Sequence, residues 1–172
     1  MKDLIKKLKF FAEKNFPIKE VTNYLNNYSP KNRELLKYCH FNNKIYTRNL
    51  VFKNKDFEIL ILCWSSGQIA PIHGHEGEKC WAKIETGKLK FCNFKTISNN
   101  PLNLKKGKEI IGEVGFLDGP ADIHSVENIF NKNAVSLHVY AKPYDTCDIF
   151  NIEKKEIKRV KLEYFSKFGQ LC

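Results

Sequence analysis

Apolar residues in the first forty positions recur every three or four residues, which is the spacing of one face of a helix. Two sets of this kind lie on either side of a proline; they are Leu4, Ile5, Leu8 and Phe11, then Ile18, Val21, Tyr24 and Leu25. Ser29 and Pro30 form a further helix-start signal, with serine as the N-cap and proline at the first helical position, before the run RELLKYC. We therefore predict about three short amphipathic helices over residues 1–40.

The hydrophobic period changes to two from about residue 44, as in strands whose side chains alternate between two faces. The strand-like runs are KIYTRNLVF, FEILILCW, CWAKIETGKLKFCNF, AVSLHVYA and DIFNIE. The polar stretch KTISNNPLNLKKGKE is predicted to be the longest loop, and the run SKFGQLC to contain no regular element. The pattern predicts a single mainly β domain over residues 1–172, with a helical part at about 1–40 and an all-β body at about 44–170.

Composition agrees with a folded domain and limits the classes of partner. Hydrophobic residues make up 42% of the 172 positions, which excludes a disordered or fibrous chain. The net charge of +10 comes almost entirely from lysine, because Arg33, Arg48 and Arg159 are the only arginines. Proteins that read nucleic-acid sequences use arginine for base contacts, so we expect a solvated lysine-rich surface and no specific nucleic-acid partner.

Cysteine usage and hydropathy favour a cytoplasmic location. The six cysteines form no C-x-x-C pair and no dense framework, which argues against a zinc ribbon or a disulfide scaffold. No apolar run approaches the roughly 20 residues of a membrane-spanning helix, and the first residues interleave lysine with apolar side chains, unlike a signal peptide. We expect a reduced, cytoplasmic, monomeric protein that does not bind membranes.

Two histidines two residues apart supply the first candidate chemistry. On a strand, His73 and His75 share a face and can reach one metal ion, although two partly exposed histidines on an edge strand would show the same spacing. The wider pattern is G-x5-H-x-H-x4-C-x6-G and then H-x3-N, over Gly67, His73, His75, Cys80, Gly87, His124 and Asn128. This pattern resembles the two-part signature of cupins, β-barrels that hold a metal on three histidines and a glutamate, with Cys80 in the place of the glutamate.

A three-histidine cupin with cysteine at the fourth position resembles the cysteine dioxygenase family. The resemblance extends from about Tyr46 to Gly169 and rests on the strings YTRNLV, ILCW, IHGH, IHSVEN, AVSLHVY, PYDTC and SKFG. It implies a jelly-roll barrel, Fe(II) as the cofactor, and a reaction in which O2 oxidises L-cysteine to L-cysteine sulfinate.

The resemblance places the iron ligands at His73, His75 and His124, and a thioether cross-link between Cys80 and Tyr140. Three neutral imidazoles leave a ferrous ion its full charge, which favours a thiolate ligand, and leave up to three coordination positions for sulfur, amine and dioxygen. Cys80 lies an odd number of residues after His75, so a turn or bulge between them must direct its side chain to the same site.

The resemblance also implies a substrate site, with Arg48 for the carboxylate, Tyr46 beside it and Cys147 near the cavity. A guanidinium has a planar fork that matches both carboxylate oxygens, whereas the alternative role is a surface salt bridge. In AVSLHVYA the polar residues alternate with apolar ones, so one face of this strand is polar. We expect Ser136 and His138 to orient the phenol of the cross-link by hydrogen bonds and not to bind the metal.

Three other functions stay open from the sequence. A related thiol dioxygenase acting on 3-mercaptopropionate would share most of the site, although the Arg48 match favours cysteine. A metal-binding cupin without catalytic turnover would use the same three histidines and show no activity. A basic nucleic-acid-binding domain would show tight association that weakens steeply with salt.

Overall fold

The computed structural model describes residues 1–120 and 122–172. Three helices come first, namely α1 (Lys2–Glu13), α2 (Ile18–Asn27) and α3 (Asn32–Leu36). The strands of the described residues follow in chain order as β1 (Thr47–Lys53), β2 (Glu58–Trp64), β3 (Ile69–Gly74), β4 (Lys79–Thr86), β5 (Leu89–Asn99), β6 (Leu102–Gly112), β7 (Leu117–Asp118), β8 (Ile123–Glu127), β9 (Ala134–Ala141), β10 (Thr146–Asn151), β11 (Glu156–Lys161), β12 (Ser166–Lys167) and β13 (Gln170–Leu171). None of the helices in these residues is long and apolar enough to cross a membrane.

The strands form two sheets that pack face to face. One sheet has seven strands in the order β13-β12-β1-β2-β9-β4-β7, and the other has six in the order β11-β10-β3-β8-β5-β6. Neighbouring strands are antiparallel, apart from the short parallel pair of β1 and β12. The chain passes repeatedly from one sheet to the other, so residues distant in sequence meet between them. The predicted mainly β jelly-roll barrel behind three N-terminal helices is confirmed.

The central strands of the seven-stranded sheet, β2 and β9, are buried along their whole length. Their outward side chains, such as Ile61 and Leu137, pack with Leu4 and Val21 of the helices in one apolar cluster. Their inward side chains, such as Leu60, join residues of the six-stranded sheet in a second cluster inside the barrel. Because each buried apolar side chain contributes about 1.5–3 kcal/mol, the helices stabilise the barrel by covering this outer face.

Residues 95–109, predicted to be a loop, belong instead to a long hairpin. β5 and β6 pair from Leu89 opposite Gly112 to Asn99 opposite Leu102. β6 is the edge strand of the six-stranded sheet, and most of its side chains are exposed. Edge strands carry lysines that discourage pairing with other chains. The prediction was wrong because the polarity of a solvent-exposed edge strand resembles that of a loop.

The start of α3 also differs from the prediction. The helix begins at Asn32 with Lys31 as its N-cap, two positions after the predicted proline. Pro30 is buried and the chain stays extended through Lys31, so the proline is an inward packing contact and not the first helical residue. The backbone N–H groups of Glu34 and Leu35 then donate to the Lys31 carbonyl.

The run SKFGQLC, predicted to have no regular element, supplies the two short strands β12 and β13 at one edge of the seven-stranded sheet. Ser166 of β12 lies opposite Asn49 of β1, and its hydroxyl donates to the Asn49 side-chain oxygen at 2.8 Å. Just before β12, the backbone N–H of Phe165 donates to the Arg48 carbonyl at 2.8 Å. The segment that precedes β12 is therefore fixed beside a predicted substrate-binding residue.

Candidate active site

Three histidines from two neighbouring strands meet inside the barrel. His73 lies on β3, His75 follows that strand directly, and His124 of β8 lies opposite His73 in the β3–β8 register. One ring nitrogen of each histidine lies within 4.8 Å of the others. Imidazole nitrogens at this spacing suit a divalent transition metal. The structure therefore brings together the three residues that were predicted to bind iron.

Hydrogen bonds made by His73 and His124 determine which ring nitrogen of each residue points toward the histidine cluster. The Nδ1 atom of His73 lies 2.8 Å from the Pro71 carbonyl, and that of His124 lies 3.1 Å from a carboxylate oxygen of Asp118. Because both oxygens only accept hydrogen bonds, each Nδ1 carries the proton and each Nε2 keeps its lone pair for a metal. Burial and the neighbouring His124 lower the pKa of His73 to about 3, so its ring is neutral. The donor set fits a ferrous ion.

A tight turn connects the histidine pair to the opposite sheet. Glu76 and Gly77 have φ angles of 59° and 77°, in the left-handed region where glycine is unstrained. The Glu78 N–H donates to the His75 carbonyl at 2.9 Å and closes the turn. The chain then enters β4 in the seven-stranded sheet, where Cys80 faces the barrel interior. The parity change required by the sequence spacing occurs at this turn.

Cys80 and Tyr140 are direct neighbours across two strands. They lie opposite each other in the register of β4 and β9, and both side chains are almost fully buried. Burial raises the pKa of the Cys80 thiol well above its usual value, and burial with the adjacent Tyr144 phenol does the same for the pKa of Tyr140. Both groups are therefore protonated at neutral pH. Their opposed positions place both side chains where the predicted thioether bond would form.

A row of hydrogen bonds runs along the inner face of β9 to Tyr140. The indole N–H of Trp64 donates to the Ser136 hydroxyl at 2.9 Å, and Ser136 Oγ lies 2.8 Å from His138 Nε2. His138 Nδ1 lies 3.2 Å from the Tyr140 oxygen. Burial and the His124 ring lower the pKa of His138 far below its usual range, which keeps it neutral. With the Ser136 proton on Nε2, the Nδ1–H donates to the Tyr140 oxygen.

Arg48 of β1 points into the same interior and is only 8% exposed. Its guanidinium lies 5.8 Å from the ring centres of Tyr140, Tyr144 and Tyr164. Burial alone would lower its pKa, but the phenols of Tyr140 and Tyr144 and the Glu58 carboxylate raise it, so the group stays cationic. Its Nε and Nη2 atoms have no hydrogen-bond partner among the described residues. A buried cation with unpaired donors is suited to bind an anionic ligand.

One cavity joins the histidine cluster to Arg48. Its lining includes Tyr46, Arg48, His73, His124, His138, Tyr140, Tyr144 and Cys147. The Tyr46 ring stacks on the Trp64 ring with centres 4.6 Å apart, and burial raises the pKa of its phenol. Cys147 lies on β10, where burial raises the pKa of its thiol. All ten residues proposed from the sequence thus line this cavity or contact residues that line it.

Sequence reasoning missed four residues that shape the site. Tyr144 lines the cavity, Asp118 orients His124, and Glu58 and Tyr164 surround the guanidinium. Only Glu58 had a visible signal, as an acidic residue at the start of the apolar run EILILCW. Tyr144 lies in the loop after β9, Asp118 on the short strand β7 and Tyr164 just before β12, and the hydrophobic pattern assigns none of these side chains a direction.

Comparison with known proteins agrees with this geometry. The family model for cysteine dioxygenase type I matches residues 1–153. The chain is 31% identical to cysteine dioxygenase type 1 from Danio rerio over 99% of this chain and 88% of that protein. It is 34% identical to the Homo sapiens protein of the same name, over 97% of this chain and 86% of the relative.

Solved structures show the same fold in more distant proteins. The crystal structure of TT1209 from Thermus thermophilus superimposes with a TM-score of 0.53 at 19% identity, covering 67% of this chain and all of that one. Oxalate decarboxylase from Bacillus subtilis gives a TM-score of 0.50 at 15% identity, over 74% of this chain and 31% of its own. These likenesses concern the barrel alone. The family match and the near full-length relatives together show that the chain belongs to the cysteine dioxygenase type I family.

Proposed function

We propose that this protein is an Fe(II)-dependent cysteine dioxygenase that converts L-cysteine and O2 to L-cysteine sulfinate. The observation that carries the proposal is that buried Arg48, with its unpaired donors, lines a single cavity together with His73 and His124 of the three-histidine cluster. The reaction adds both oxygen atoms to sulfur, so one thiol and one O2 give one sulfinate and one proton. No further reductant is needed.

His73, His75 and His124 are the proposed ligands of the ferrous ion, which when bound supplies a centre where a thiolate and dioxygen meet. The chain itself positions the substrate. Arg48 binds the carboxylate through its planar fork, and Tyr46 borders that end of the cavity. A fixed carboxylate holds the thiol in one orientation toward the histidine cluster, which replaces an encounter in solution by a reaction within one site.

The row on β9 has a separate proposed task. Ser136 and His138 hold the Tyr140 phenol, and the His138 Nδ1–H occupies one acceptor site on its oxygen. The phenol proton is then directed away from His138 and is available to a group in the cavity. We propose that Tyr140 donates this hydrogen bond during turnover and that Cys147 borders the substrate's thiol side.

We also propose a thioether bond between Cys80 Sγ and the Tyr140 ring. Its formation replaces the Cys80 S–H bond and one Tyr140 ring C–H bond by an S–C bond, and the two protons and two electrons that are released reduce one O2 to hydrogen peroxide. The opposed positions of the two residues and their shared burial support the proposal. Peptide mapping after turnover with iron and cysteine should find the joined peptides, a product with two hydrogens fewer than the separate chains. Recovery of only free Cys80 would exclude the bond.

The function is tested by metal content measured together with cysteine-dependent O2 uptake and sulfinate formation. Arg48→Lys keeps the charge that pairs with Glu58 but loses the fork, so we expect the KM for L-cysteine to rise about 10- to 100-fold. Arg33→Lys, at an exposed position on α3, is the matched control and should match the wild type.

Two results would contradict the proposal. Iron-loaded protein that oxidises 3-mercaptopropionate but not L-cysteine would identify the related thiol dioxygenase. Iron-loaded protein with no thiol oxidation at all would identify a metal-binding cupin without turnover.

We further propose a cytoplasmic monomer without membrane or specific nucleic-acid partners. Tight duplex binding at physiological salt would contradict the last of these.

A further inference from the structure

A buried carboxylate lies beside Arg48 without forming a hydrogen bond to it. Glu58 begins β2 and is fully buried, and its Oε1 atom is 3.6 Å from Arg48 Nη2. This separation is beyond hydrogen-bond length. Glu58 Oε1, Arg48 Nη2 and Arg48 Nε all have no hydrogen-bond partner in the described part of the chain. Glu58 and Arg48 therefore form an ion pair without the closer, hydrogen-bonded contact that a carboxylate and a guanidinium can make.

The other oxygen of Glu58 is held by a short chain of polar groups. The Tyr164 hydroxyl lies 2.5 Å from Glu58 Oε2, and Lys53 Nζ lies 3.1 Å from the same hydroxyl oxygen. Lys53 Nζ also lies 2.6 Å from an Asp145 carboxylate oxygen. Lys53 is opposite Glu58 in the β1–β2 register. Tyr164 is fixed because the next residue, Phe165, bonds to the Arg48 backbone.

The direction of these hydrogen bonds follows from the groups themselves. An ammonium only donates, so the Tyr164 oxygen accepts from Lys53 and its own proton goes to Glu58. Burial and the hydrogen bond to Glu58 raise the pKa of Tyr164 to about 12, so the phenol keeps that proton. The Tyr164 hydroxyl therefore donates a stable hydrogen bond to Glu58 Oε2, the oxygen that faces away from Arg48.

We propose that Tyr164, held by Lys53, restrains the Glu58 carboxylate from closing on Arg48, and thereby keeps the guanidinium donors available for the carboxylate of the substrate. The inference rests on the proposed function. In it, Tyr164 and Glu58 are positioning residues that act through Arg48 and do not touch the substrate. They determine specificity because they affect thiols with a carboxylate and not thiols without one.

Tyr164→Phe removes the donor and keeps the ring. Without the hydrogen bond from Tyr164, Glu58 is expected to pair with Arg48 and to compete with the substrate's carboxylate. The KM for L-cysteine should therefore rise about 10-fold while kcat stays within about twofold of the wild type. Anaerobic binding of L-cysteine to the iron-loaded protein should weaken by the same factor. Cysteamine, which has the thiol and amine of cysteine but no carboxylate, should bind equally to wild type and variant.

A second substitution separates this mechanism from a packing effect. In Glu58→Gln the side chain can no longer capture the guanidinium as an anion, so adding Tyr164→Phe should leave L-cysteine affinity unchanged. If Tyr164 only packed the C-terminal segment, the loss would appear in both backgrounds and with cysteamine. Tyr38→Phe, a tyrosine of the helical cluster far from the cavity, is the matched control.

The outcomes distinguish the inference from the function on which it rests. Iron-loaded wild type that fails to oxidise L-cysteine would overturn the proposed function. Active wild type with an unchanged KM in Tyr164→Phe would overturn the inference alone. The inference is also wrong if Tyr164→Phe lowers L-cysteine affinity equally with and without Glu58→Gln. Circular dichroism and thermal unfolding establish that each variant is folded.

Discussion

The two sheets of the barrel contribute different chemistry to one cavity. The six-stranded sheet and the turn that leaves it carry His73, His75 and His124, the candidate metal ligands. The seven-stranded sheet carries Arg48 and the row that ends at Tyr140, the candidate substrate-binding and hydrogen-bonding groups. Under the proposed function, the metal and the substrate's carboxylate would be held by opposite walls, and barrel packing would set the distance between them.

The two walls also differ in what lies behind them. The outer face of the seven-stranded sheet is covered by the N-terminal helices, and the polar side chains of Ser136 and His138 on the inner face of β9 are buried as well. Such groups must be satisfied by one another, which explains the row of hydrogen bonds from Trp64 to Tyr140. The six-stranded sheet has the exposed strand β11 at one edge, and this strand needs no covering layer of helices. Substitutions on the inner faces should therefore affect chemistry, whereas substitutions on the covered outer face of the seven-stranded sheet should affect stability.

The largest expected effect is on iron binding and activity, and it follows the loss of a histidine from the six-stranded sheet. His124→Ala removes one of three nitrogen donors, so bound iron and thiol oxidation should both fall to background, more than about 1000-fold in rate. The thermal unfolding temperature of the metal-free protein should change little. His40→Ala, outside the cavity, is the control and should retain iron and activity. Full iron binding by His124→Ala would show that other groups form the metal site and that the two walls are not divided as described.

The next effect concerns the sealed outer face of the other sheet. Leu137→Ala empties a buried position beneath the helices, and the free energy of unfolding should fall by about 3 kcal/mol. The KM and kcat of the folded fraction should match the wild type, because Leu137 points away from the cavity. Urea unfolding and steady-state kinetics on the same preparation measure both quantities. Leu171→Ala, at an exposed position, is the control. A large change in KM would mean that the two faces of β9 are not independent.

Features that depend on local spacing could be predicted from the sequence. The alternation in AVSLHVYA assigned one face of β9 to packing and the other to polar contacts, and the structure has that division. The H-x-H spacing and the later histidine identified a cluster whose nitrogens do converge. Both succeed because the side-chain period of a strand is fixed by backbone geometry.

Features that depend on strand register could not be predicted. Asp118 reaches His124 only because β7 joins the edge of the seven-stranded sheet, and Tyr164 reaches Glu58 only because the chain before β12 crosses Arg48. The hairpin at residues 95–109 was missed for a related reason, since exposure at a sheet edge erases the apolar alternation. The contact between Asp118 and His124 spans only six residues and the hairpin is local, whereas Tyr164 and Glu58 are 106 residues apart. In each case the deciding information is which strands become neighbours or edges of a sheet.

The smallest expected effect concerns an acidic residue of β4 near the covered outer face, and it is tested by changing the pH. Glu85 lies at an irregularity of β4 beside the helices; its Oε1 atom is buried without a hydrogen-bond partner among residues 1–120 and 122–172. Burial raises its pKa to about 7 from an ordinary value of 4.5, although nearby Lys83 opposes the shift. Between these two values the folded protein binds a proton that the unfolded chain has lost, so the free energy of unfolding falls as pH rises.

Glu85→Gln removes this proton and its pH dependence. Relative to the wild type, the variant should gain about 1 to 2 kcal/mol of stability between pH 4.5 and 7.5, a value reduced by the residue's partial contact with solvent. Urea unfolding of both proteins at the two pH values measures the difference, and Glu20→Gln on the exposed face of α2 should show none. Iron content and the KM for L-cysteine should stay unchanged, because the cavity lies on the opposite face of the sheet. An equal stability difference at both pH values would mean that folding does not shift the pKa of Glu85.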